Sequence, residues 1–134
     1  MAKFNCLTYA LKIEGILPPH TIVEDLEWYR TPLQALQIFG QKYLLDFREI
    51  SPNDPMSDNE WLIAFFGFVP CEWDYERRVT RRDYHLVLYE NGIWTHRMTW
   101  GADSTEANFD ELVTAYSSAG YPPHYFAVKR NAEK

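Results

Sequence analysis

The dipeptide Asn91-Gly92 stands between two apolar, aromatic-rich runs, DYHLVLY and IWTHRMT, and it constrains the fold more than any other feature of this chain. Asparagine and glycine tolerate positive φ, so the pair favours a two-residue type I′ turn, whose twist matches that of two antiparallel strands. A turn that tight pins the register. Glu90 then pairs with Ile93, Val87 lies opposite His96, and His85 lies opposite Met98. Alternation puts His85, Val87 and Tyr89 on one face with Trp94, His96 and Met98, so His85 and His96 become diagonal neighbours across two strands.

The rest of the chain reads as helices followed by mostly antiparallel strands. Residues 4–14 have helical apolar spacing, with Asn5 as an N-cap and Gly15 placed as a terminator. Pro18-Pro19 stops that helix, and residues 21–29 form a second one. Thr31-Pro32 is a cap followed by proline at the first helical position, opening a short helix that ends at Gly40. Strands are expected at 43–50 and 61–69, the latter dense enough in aliphatic and aromatic residues to be central. Ser104 or Thr105 caps a helix over 107–118, closed by Gly120, and 124–129 is a last strand. The expected class is α+β, with residues 1–134 in a single domain.

Charge and composition exclude several roles. With 46% hydrophobic and 16% aromatic residues the chain can build a core. A formal charge of −6 is not the basic footprint of a nucleic-acid binder, nor of a protein that holds to anionic membranes. No run reaches the roughly 20 apolar residues of a membrane span, and no signal peptide is visible. The expected compartment is therefore the cytoplasm, with delivery by a secretion system or release by lysis as routes out. Two cysteines, Cys6 and Cys71, do not make a disulfide framework and are expected as free thiols.

Cys6 is the residue with the sharpest chemistry. If Asn5 caps the helix, Cys6 is its first residue, where unpaired N–H groups and the partial positive charge favour thiolate. The same N–H groups can receive an oxyanion. A thiolate, a histidine to carry its proton and a further polar group to orient that histidine make an activated nucleophile. Taken alone, Cys6 is more often a small buried filler; His85 and His96 on one face raise the catalytic reading. Zinc is the rival use of Cys6, His85 and His96, but no CxxC or HxxxH pair is present. Cys71 and the loop-placed His20 and His124 are assigned no role.

Asn5-Cys6 with Tyr9-Ala10-Leu11, the segment 61–68, DYH at His85 and NGIWTHRMTWG around His96 together resemble the papain-like thiol hydrolases, closest to the NlpC-type cysteine peptidases and amidases with their Cys–His–His arrangement. The resemblance implies a papain-like α+β fold with the nucleophile on the first helix, and a peptidase or amidase acting on a peptide or protein, such as a peptidoglycan stem peptide. It implies Cys6, His85 and His96 as catalytic residues and no cofactor. Asn5, Arg81, Arg82 and Trp94 are the candidates for the oxyanion site and for holding substrate. The run ERRVTRRDY, which contains Arg81 and Arg82, reads equally as a solvated face of alternating charges. Two other functions share the same features: glutamine deamidation, and a non-catalytic binding or inhibitor protein on the same fold, encoded by a phage or mobile element.

Overall fold

The structure, a computed structural model, describes residues 9–12, 31–76, 78–96 and 105–131. These residues form a mixed helix and antiparallel-sheet assembly. Six strands run β1 Leu45–Ile50, β2 Glu60–Asp74, β3 Val79–Glu90, β4 Ile93–His96, β5 Thr105–Glu106 and β6 His124–Arg130, with helices α1 Pro32–Tyr43 and α2 Phe109–Ser118. The spatial order is β1-β6-β2-β3-β4-β5, and every pairing is antiparallel. β6, late in the chain, lies between β1 and β2. Its centre, Phe126-Ala127-Val128, is buried on both faces, as an interior strand requires.

The β3–β4 turn has the expected geometry: Asn91 at φ 55° and Gly92 at φ 83°, both positive as a type I′ turn demands. Glu90 pairs with Ile93, Tyr89 with Trp94 and Leu88 with Thr95. Strand alternation then divides the core. Ile63, Phe65, Leu86, Leu88, Phe126 and Val128 face Leu11, Leu36 and Phe39. Ala64, Phe66 and Val87 face the other way, toward Phe109, Leu112 and Tyr116 of α2.

Several boundaries differ from the sequence reading, each for a local physical reason. The first helix was expected to reach residue 14. Its described part ends earlier: Tyr9 and Ala10 are helical, while Lys12 takes φ 57° and donates its N–H to the Tyr9 carbonyl at 3.2 Å. The helix expected at 21–29 lies outside the described residues. α1 begins as expected, with Thr31 Oγ1 accepting from the Gln34 N–H at 3.1 Å and Pro32 at the first position. It does not end at Gly40 but runs on to Tyr43, closed by Leu44 at φ 60°. Gly40 serves close packing, because a Cβ there would sit 2.2 Å from the Leu45 carbonyl oxygen. Tyr43 accordingly belongs to α1, and β1 starts at Leu45.

Neither Ser104 nor Thr105 caps α2. Thr105 and Glu106 are claimed by pairing with His96 and Thr95, Ala107 N–H bonds the Trp94 carbonyl at 2.9 Å, and Asn108 caps the helix through Oδ1 to the Glu111 N–H at 3.2 Å. At the other end Gly120 takes φ 92°, and Tyr121 N–H reaches the Tyr116 carbonyl at 2.8 Å, the bond of a glycine-closed helix terminus. β2 continues past residue 69 to Asp74, through irregularities between Gly67 and Val69 and between Pro70 and Glu72. Among the described residues no helix is long and apolar enough to cross a membrane.

Candidate active site

His85 is held on β3 directly opposite Phe66 of β2, and His96 is the last described residue of β4. Extending the hairpin register by one pair sets Val87 opposite His96, so His85 is the diagonal neighbour. The two rings meet edge to face, with centroids 5.0 Å apart and planes at 75°. His85 Nε2 and His96 Nδ1 are 2.8 Å apart, a hydrogen bond between half-buried imidazoles.

Burial controls the charge of this pair. It lowers the His85 pKa to about 4, with the charge of a protonated His96 acting in the same direction. Burial lowers His96 as well. At neutral pH both rings are uncharged and share one N–H. If His96 Nδ1 accepts that proton, His85 carries it on Nε2 and its Nδ1 is a bare base. If His96 donates, His85 Nδ1 holds the other hydrogen and can only donate. The tautomer of His96 thus sets whether His85 acts as acid or base.

The same burial has a folding consequence. Between pH 6.5 and about 4 the unfolded chain protonates His85 while the folded chain resists it. The contribution is complete above pH 6.5 and is lost as the pH falls toward 4. We expect urea denaturation across that range to show a loss on the order of 3 kcal/mol, and His85→Gln to flatten the slope. An unchanged slope in that variant would remove His85 as its source. Glu60 acts lower down, since its bond to Arg48 and the Ser57 N–H pull its pKa to about 2.

Trp94 projects from the face that carries His96. Its ring stacks on Phe109 at 4.1 Å with planes 7° apart and leans on Tyr89 at 4.9 Å, so it forms an aromatic wall tying β4 to α2. Arg81 and Arg82 lie on β3 at positions paired with Glu72 and Pro70. That is roughly 10–13 Å along the strand from His85; their side chains are not among those described. Asn5 and Cys6 lie outside the described residues.

What the structure does describe is the helix end that follows Cys6, and it rests on the reverse of the sheet. Tyr9 Oη is 2.7 Å from Thr95 Oγ1, Trp61 Nε1 donates to the Ala10 carbonyl at 2.9 Å, and Arg130 Nη2 donates to the Lys12 carbonyl at 2.8 Å. Lys12 also pairs with Glu90. Thr95 and Glu90 sit on the Leu88 face, opposite to that of His85 and His96. The structure therefore brings the two histidines together and seats residues 9–12 across the sheet from them.

This clamp escaped the sequence reading, because its partners are 51–118 residues apart. His124 is a second correction: it opens β6 instead of lying on a loop, and its Nδ1 is 2.8 Å from Glu49 Oε2. Among the described residues no group of three or more His, Cys, Asp or Glu side chains is placed to hold a metal. Comparison with protein-family models, curated proteins and solved structures found no match to this chain.

Proposed function

We propose that this chain is a papain-like cysteine hydrolase of the NlpC type, acting at an amide bond of a peptide or protein. The observation that supports it is the His85 Nε2 to His96 Nδ1 contact of 2.8 Å. That contact occupies one ring nitrogen of His85 and leaves Nδ1 to meet a thiol. In this reading Cys6 attacks the carbonyl carbon as thiolate. The developing oxyanion is received by the Cys6 N–H with Asn5 alongside, and His85 passes the thiol proton to the leaving amine. Water then cleaves the thioester. His96 holds the His85 ring and its tautomer. These steps use no cofactor. Peptidoglycan stem peptides are the substrate class the resemblance suggests; with ammonia as leaving group the same steps deamidate glutamine.

The opposed seating of Tyr9 to Lys12 favours a second reading, a non-catalytic binding protein in which the histidine pair only ties β3 to β4. Alkylation separates the two. In the hydrolase, Cys6 reacts with iodoacetamide faster than Cys71, with a depressed apparent pKa, and Cys6→Ala shifts the NMR titration of His85. A Cys6 no more reactive than Cys71, with His85 titrating identically in both proteins, sinks the hydrolase and leaves the binding protein.

A further inference from the structure

We infer that His85 and His96 form a site for a divalent transition-metal ion of the zinc type, held by His85 Nε2 and His96 Nδ1. The inference is independent of Cys6 and of any hydrolytic role. Zinc binds imidazole nitrogen at about 2.0–2.1 Å, so two such ligands of one ion lie about 2.9 Å apart at a right angle and about 3.3 Å apart at the tetrahedral angle. The two nitrogens stand 2.8 Å apart, within a few tenths of an ångström of that range.

Three further features suit the pair to an ion. The rings are carried on adjacent strands whose register the Asn91-Gly92 turn fixes, so little chain ordering remains to be done on binding. Both rings are neutral at pH 7, because burial opposes their protonation, and neutral imidazole is the form that ligates. The shared hydrogen needs only to move to the other nitrogen of its own ring, leaving both facing lone pairs for the metal. Two nitrogen donors also choose zinc, nickel or copper over the oxygen-seeking magnesium and calcium. With no third protein ligand among the described residues, the remaining positions fall to water. If the hydrolase reading holds, a bound ion also removes the bond that orients His85, and zinc inhibits.

The test is a titration with Zn²⁺ alone, followed by calorimetry and by the ¹⁵N shifts of the histidine rings. We expect saturable binding of one ion per chain, with His85 Nε2 and His96 Nδ1 shifting while the Glu49-paired His124 does not, and no response to Mg²⁺. His85→Gln and His96→Gln should each weaken binding by at least about tenfold, and Cys6→Ala should leave it within about twofold. The site is overturned if the paired nitrogens stay unmoved at millimolar Zn²⁺ in the unmodified protein. It is equally overturned if binding vanishes in Cys6→Ala, which would assign the ion to the thiol. Zinc binding with no hydrolysis would leave this site standing and remove only the enzyme.

Discussion

Phe65→Ala is expected to lower the folding free energy by about 3–5 kcal/mol, the range for emptying a buried aromatic position. Phe65 lies on β2, the strand that both β3 and β6 pair with, and its side chain is fully buried. Its ring stacks on Tyr84 at 5.6 Å and meets Phe126 edge-on at 6.5 Å, joining three strands beneath α1. Backbone hydrogen bonds to strands on both sides hinder collapse into the space, so the transfer loss and the cavity penalty add. Against a total stability of about 5–15 kcal/mol this is a large share. Tyr75→Ala is the matched control: that ring is 84% exposed, and its loss should stay within about 0.5 kcal/mol. Guanidinium denaturation of the two variants measures the difference. A Phe65→Ala cost below about 1 kcal/mol would contradict the packing described for this strand.

The largest effects on activity are expected at Cys6 and His85. In the proposed hydrolase, removal of either should cut turnover by at least about a thousandfold, because nucleophile and base act as one unit. The double variant should be hardly worse than either single one, since the second loss removes a partner already idle. His96→Ala should fall between these variants and the wild type, mostly in kcat, because it loosens the ring and tautomer of His85 without removing the base. The measurement is release of new amine groups from peptide and peptidoglycan-fragment substrates, with urea denaturation reporting whether each variant is folded. Full turnover in a folded Cys6→Ala or His85→Ala protein would end the proposal. The control matters most for His85, whose half-buried ring also bridges two strands.

The meeting of His85 and His96 was readable in advance because it depends on distances the chain controls locally. A two-residue turn, a fixed register and a two-residue alternation carry the argument across only 11 residues. The start of α1 was readable for the same reason, since Thr31 and Pro32 act within one turn of helix. The boundaries that differed had local signals outweighed by distant partners. Gly40 looked like a stop and is instead a contact point for the Leu45 carbonyl; Ser104 and Thr105 looked like caps, but β4 drew Thr105 and Glu106 into the sheet and left Asn108 to cap α2.

By itself, then, the sequence determined the β3–β4 hairpin, its register, the shared face of the two histidines and the α+β character of the chain. Only the tertiary structure decided that β6 enters between β1 and β2, that burial makes the histidine pair neutral, and that Tyr9 to Lys12 rest on the far side of the sheet from it. The physical reason is range. Turns and strand alternation act between neighbours, whereas strand order and the choice of a sheet face are settled by apolar surfaces that meet only when the whole chain has collapsed.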